Sequence, residues 1–165
     1  MNSKISQLKH LISEENIQLF LAKWAKTKFE AIEASKELQN YPLAKRKLIL
    51  DYLKLLPKIH IRFKTHYNLL CDSLAYEQST NNDIAQYKAD KIPPNENILD
   101  LCCGMGSDSF PLKTPNSLIG YDLSMERLEM AEFNTSFFHS KAVFKNDDVM
   151  NAPPNSGSTL IDPDR

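Results

Sequence analysis

The sequence contains no Cys-x-x-Cys pair. Its three cysteines are Cys71, Cys102 and Cys103, an odd count with two of them adjacent. That pattern excludes a disulfide framework. The four histidines (His10, His60, His66, His139) are scattered, so no zinc site is expected and no metal is assigned. Thiols without a pairing pattern belong to a reducing compartment, and a cytoplasmic location is expected. Long apolar runs are missing too: each is interrupted by Lys, Asp or Pro within a few residues, which excludes a membrane span. Met1 to His10 lacks the apolar core of a signal peptide. Neither charge is in excess. A formal net charge of −1 gives no global basic field and no acidic tail, while a local basic patch stays open. There is no repeat and no low-complexity tract. What is present is 165 residues, 42% apolar and 25% charged, which suits one soluble domain or a small domain joined to part of another.

Residues 1–92 read as a helical N-terminal region. Ile5, Leu8, Leu11 and Ile12 recur at helical spacing. Ser13 is placed to cap a second helix, with Glu14 and Glu15 in its first turn. Ile17, Phe20, Leu21 and Trp24 give its stripe, and Phe29 and Ile32 extend it. Asn40-Tyr41-Pro42 breaks this helix and opens another, whose apolar face is Leu48, Ile49, Tyr52, Leu55 and Leu56 and which Pro57 is expected to end. These stripes are core packing. His60 to Tyr67 sets Arg62, Lys64 and His66 among aromatics: a solvated helix face is the plainer reading, and contact with nucleic acid the sharper one.

After Pro93-Pro94 the pattern changes, and residues 93–165 read as an α/β domain. Four short apolar runs are expected as strands: 97–102, 117–122, 141–145 and 158–162. Helices fit between them, around 107–112 and from 124 to about 138, with Ser124 as N-cap and Glu126 in the first turn. Strands alternating with helices imply a parallel sheet with right-handed crossovers. About four strands are found, so the expectation is the first half of a Rossmann-like, doubly wound sheet.

In such a sheet ligands bind beyond the carboxyl ends of the strands. Four features fall there. Gly104 and Gly106, in Asp100-Leu101-Cys102-Cys103-Gly104-Met105-Gly106-Ser107, permit a sharp turn and a close approach to a ligand. Asp122 ends the second strand, some 20 residues on, where an acid accepts both hydroxyls of a ribose. Asn146-Asp147-Asp148 follows the third strand; a carboxylate there can accept from the amine of adenine, and Asp148 is the choice. Asp162-Pro163-Asp164-Arg165 follows the fourth, at the reactive edge. Taken singly, each has an ordinary reading: a tight turn, a helix-flanking Asp, an acidic surface loop, an Asp-Pro turn.

Together, in this order and spacing, they resemble a class I S-adenosylmethionine (SAM)-dependent methyltransferase. The resemblance implies Asp100, Cys102, Gly104 and Gly106 as the cofactor-binding turn, Asp122 as the ribose acid, Asp148 as the adenine acid, and Asp162 with Pro163 as the start of the catalytic loop. Cys102 stands where the family has its first Gly, and the Pro-Pro-aromatic tail of the amino-methyltransferases is absent. A narrower likeness comes from Tyr76-Glu77-Gln78-Ser79-Thr80, Ile84 to Ala89, and Leu101 to Ser109. These residues resemble bacterial methyltransferases that carry a THUMP-like domain, distantly similar to trimethylguanosine synthase. In those proteins the Gln-Ser/Thr turn closes over the cofactor, which makes Thr80 a cofactor contact; it is equally placed to cap the next helix, with Asp83 at the third position. The resemblance implies SAM as cofactor and RNA, through a base or cap amine, as the expected acceptor. A dinucleotide dehydrogenase fits less well, because Ser109 stands where its third glycine belongs. A truncated, non-catalytic piece of a methyltransferase, inactive alone, is the other alternative: a complete domain of this class has seven strands.

Overall fold

The computed structural model describes residues 3–24, 32, 35–113, 115–154 and 157–163. The chain falls into two compact units, one up to Asn68 and one from Leu69 onward. The sequence boundary after residue 92 differs from this, because the helical segment of 73–89 packs on the sheet rather than with the first unit. Ala89 shares an apolar cluster with Ile98, Leu118 and Leu160.

The first unit is helical. α1 (Lys4–Ser13) is capped by Ser3, whose hydroxyl accepts from the Ser6 N–H at 3.1 Å, and it buries Ile5, Leu8, Leu11 and Ile12. Ser13 does not cap the next helix as expected. It is the last residue of α1, and its hydroxyl donates back to the Lys9 carbonyl at 2.8 Å. α2 (Glu15–Trp24) buries Ile17, Phe20 and Leu21. Phe29 lies outside the described residues, and Ile32 is buried. The short α3 (Lys36–Gln39) is capped by Ser35. α4 (Leu43–Arg62) starts at Pro42, which takes the N-cap rather than a first-turn position. Its buried face is Ile49, Tyr52, Leu53, Leu56 and Ile59. Pro57 does not end α4. It sits on the exposed side, where its ring meets solvent, and the buried residues Leu53, Leu56 and Ile59 hold the helix together across the missing N–H bond.

The second unit begins with α5 (Ser73–Gln78), capped by Asp72, and α6 (Asn82–Ala89), capped by Asn81, which accepts from the Ile84 N–H at 3.0 Å. Thr80 is therefore one residue too early to be the cap, and its hydroxyl is used elsewhere. Four strands follow: β1 (Asn97–Leu101), β2 (Ser117–Asp122), β3 (Ala142–Asn146) and β4 (Ser158–Ile161). They form one parallel sheet in the order β3-β2-β1-β4. β1 lies in the centre, with Asp100 opposite Gly120 on one side and Leu160 on the other. Side chains alternate across a sheet, so Ile98, Asp100, Leu118, Phe144 and Leu160 share a face. α6 packs on this face through Ala89, and α7 (Met125–Thr135) through Leu128 and Ala131 beside Phe144. Ser124 caps α7, as its sequence position implied. The helix expected over 107–112 is only a short 3₁₀ turn, Ser107–Ser109, because Pro111 has no N–H to continue it. No helix among the described residues is long and apolar enough to cross a membrane.

Candidate active site

The order β3-β2-β1-β4 reverses direction at β1, so the connections after β1 and β4 leave the sheet side by side. A cleft is expected at that point, and one is present. It is open to solvent and lined by the α5–α6 turn (Gln78, Ser79, Thr80), the loop after β1 (Cys102 to Met105), Asp108, Arg127 and Asp162.

The loop after β1 is built from left-handed backbone. Cys102 (φ 64°), Gly104 (φ 55°) and Gly106 (φ 85°) all lie in that region within five residues. The Cys103 N–H continues the ladder to the Tyr121 carbonyl at 2.9 Å, and the Gly106 N–H closes the turn on the Cys103 carbonyl at 2.8 Å. The two glycines serve different ends. A Cβ on Gly106 would stand 2.7 Å from the Thr135 hydroxyl, so its absence lets α7 pack against the loop. A Cβ on Gly104 would meet nothing within 4 Å, and Gly104 lines the cleft. Cys102 holds a conformation that costs roughly 1–2 kcal/mol without a glycine.

Asp122 grips this loop from the end of β2. One carboxylate oxygen accepts from the Gly104 N–H at 2.9 Å, the other from the Ser124 N–H at 2.8 Å. It thus ties the turn to the start of α7. Asp100 lies beneath, 3% exposed, with one carboxylate oxygen lacking a hydrogen-bond partner. Burial, with a further push from nearby Asp108, raises its pKa to about 8, so at neutral pH it is mostly protonated. Cys103 is buried as well; desolvation and then the Asp100 charge push its thiol well above the ordinary range, which removes it as a nucleophile.

The strongest polar feature is one that sequence reasoning missed. Lys88, from α6, places its ammonium 2.7 Å from Asp108 and 2.8 Å from Asp162. Burial alone would lower its pKa, but the hydrogen bonds it donates to Asp108 and Asp162 outweigh that and raise it. Asp162 accepts from the Thr80 hydroxyl through the same oxygen, at 3.2 Å. The second oxygen of Asp108 is buried without a hydrogen-bond partner. On the far side Arg127 donates to Gln78 at 2.9 Å and stands 3.4 Å from Asp72. Asp108 and Lys88 both lie in stretches that carry the family resemblance but were given no role; Lys88 is separated from its partners by 20 and 74 residues, so no local spacing marks the pairing.

Of the residues singled out in the sequence, Thr80, Cys102, Gly104 and Asp162 meet in the cleft. Asp100 and Asp122 support it from below and behind. Gly106 faces α7. Asp148 is exposed and outside the cleft lining; its side chain caps the 3₁₀ turn Val149–Asn151 by accepting from the Met150 N–H at 2.9 Å. The neighbouring Asp147 accepts from the Asp148 N–H and the Asn151 amide, both at 2.8 Å. Pro163 is exposed just past β4, and Asp164 and Arg165 lie outside the described residues. No metal-binding group of three or more ligands occurs among the described residues.

No protein-family model matches the chain, and no curated protein matches it. Among solved structures, a presumed methyltransferase from Porphyromonas gingivalis W83 superposes with a TM-score of 0.67 at 20% identity, over 84% of this chain. The chain has a Rossmann-like methyltransferase fold. It spans 36% of the length of that neighbour. A magnesium protoporphyrin IX methyltransferase from Synechocystis PCC 6803 with bound SAH also matches, at 14% identity over 84% of this chain and 54% of that one. Its TM-score of 0.35 is too low to inform the site.

Proposed function

We propose that the second unit is the cofactor-binding half of a SAM-dependent methyltransferase, of the kind that carries a THUMP-like domain, with RNA as acceptor. The observation that carries the reading is the cleft at the carboxyl ends of β1 and β4, with the bare backbone of Gly104 on one wall and Asp162 on the other. The residues fit the group. The left-handed Gly104 leaves space where a side chain would stand, and the buried oxygen of Asp108 awaits a donor.

Bound there, SAM would supply an electrophilic methyl group on a sulfonium. Thr80, Cys102 and Gly104 would line its seat. Asp122 would accept from the ribose hydroxyls; each of its oxygens already takes one N–H and keeps a second accepting position. Asp148 stays in the proposal as the adenine acid beyond β3. Asp162 would accept a hydrogen bond from the acceptor amine and align its lone pair, with Pro163 fixing the backbone that follows. Most of the rate would come from positioning.

Calorimetric titration with SAM, SAH and NAD tests this. SAM and SAH should bind, and Asp122→Ala should weaken SAM about tenfold or more, since it strips the partner from the part-buried N–H groups of Gly104 and Ser124 and from the ribose at about 1–3 kcal/mol. NAD binding without SAM binding would overturn the reading. Methyl-labelled SAM incubated with total RNA and with total protein separates the acceptors; label in protein alone rules out RNA.

A further inference from the structure

The net charge of −1 hides a division between the units. Up to Asn68 the chain has thirteen Lys and Arg against six Asp and Glu, a formal +7; from Leu69 onward it has seven against fifteen, −8. A surplus of that size on a small helical unit is the footprint of a polyanion partner.

Part of the surplus is drawn into one line on α4. The helix buries Ile49, Tyr52, Leu53, Leu56 and Ile59. On the opposite face Lys47, Asp51, Lys54 and Lys58 follow at i, i+4, i+7 and i+11, all exposed. Asp51 is the only acid in the helix. Lys45 and Arg46, in the same turn as Lys47, are engaged inside the unit: Lys45 pairs with Glu14 at 2.7 Å, and Arg46 donates to the Gln39 carbonyl at 2.8 Å. At 1.5 Å per residue the three lysines span roughly 16 Å along the helix axis.

We propose that this face of α4 docks the phosphate backbone of RNA. The choice of RNA rests on the acceptor proposed above. A lipid surface fits less well, because a membrane-lying helix inserts its apolar face, and that of α4 is buried within its own unit. Lysine rows of this kind contact phosphates without reading bases.

The test uses the full chain, a fluorescein-labelled oligouridine and rising salt. Three phosphate contacts on a single strand give a log–log salt slope of about −2. The triple variant Lys47→Gln, Lys54→Gln, Lys58→Gln should weaken binding about tenfold or more and flatten that slope. A control with Lys91→Gln, Lys113→Gln and Lys141→Gln, on the acidic unit, should stay within about twofold. SAM titration of both variants should match the parent chain, so loss of docking is told apart from failure of the cofactor reading. Absence of oligouridine binding overturns the proposal. So does binding that the α4 variant leaves intact, or tighter binding to phosphatidylserine vesicles through the same lysines.

Discussion

Asp100 stands in the middle of the central strand, 3% exposed, between Gly120 and Leu160. Its pKa is raised by burial, and then by the charge of Asp108, from 3.8 to about 8. The unfolded chain releases this proton near the ordinary value, while the folded chain keeps it until about pH 8. Between those limits the unfolded state binds fewer protons, so stability falls as pH rises, by about 1.4 kcal/mol per pH unit for this one group. By pH 7 the accumulated cost is roughly 4 kcal/mol. Asp100→Asn keeps the shape and cannot ionise. It brings a buried amide that lacks a ready partner, at about 1–2 kcal/mol. The difference between variant and parent should therefore rise with pH: slightly negative near pH 4, and about +3–4 kcal/mol at pH 7.5. Using the difference cancels the carboxylates common to both proteins. The lone tryptophan, Trp24, belongs to the other unit, so its fluorescence is the wrong probe. Urea denaturation read by peptide-resolved hydrogen exchange over residues 97–122 follows the sheet itself. A variant-minus-parent difference that stays flat from pH 4 to pH 8 would refute the argument that Asp100 is buried with its proton.

Three further substitutions test how the cleft is held. Gly106→Ala puts a methyl 2.7 Å from the Thr135 hydroxyl on backbone at φ 85°, and should cost about 2–4 kcal/mol in urea unfolding. Adding Thr135→Ala should restore the packing part and leave the backbone part; full additivity of the two losses would contradict the contact. Asn134→Ala should cost about 3 kcal/mol, because the buried amide bonds the Leu70 N–H at 2.6 Å, the Leu70 carbonyl at 2.9 Å and the Met105 carbonyl at 3.3 Å. A loss below about 1 kcal/mol would mean that water replaces the amide.

The sheet was legible because a buried parallel strand reads as a short apolar run stopped by a turn, and Ile98-Leu99, Leu118-Ile119 and Leu160-Ile161 do so. β2 matches its expected bounds, and the others shift by a residue. The turn after β1 was legible from Gly104 and Gly106, whose positive φ needs the missing side chain. Helix ends were less so. Pro57 reads as a stop, yet packing on both sides carries α4 through it; Ser13 and Thr80 are good caps in composition, but Glu14 and Asn81 hold the boundary positions. Ser, Thr, Asn and Asp compete for one cap when they are neighbours, and sequence alone does not rank them. The apolar periodicity of α6 gives no sign of which partner it packs on, so the compact unit that starts at Leu69 is not marked in the sequence. The opposite charges of the two units cancelled in the whole-chain sum.

Lys88 was illegible for a deeper reason. Its ammonium lies between Asp108 and Asp162, two carboxylates brought together only by the pairing of β1 with β4 and the seat of α6. Asp100, on the α6 face of β1, is the third acid felt in this group, where Lys88 lowers its pKa and Asp108, Asp122 and Asp162 raise it. One cation cannot neutralise three acids in a half-buried setting. Asp108 and Asp162 take the ammonium, and Asp100, sealed in the strand, keeps its proton chiefly because burial disfavours its charged form. Asp162, the carboxylate proposed to accept from the methyl-acceptor amine, is thus tied to a residue on a helix that precedes the sheet. α6 belongs to the site as well as to the core, which is why it packs with the second unit.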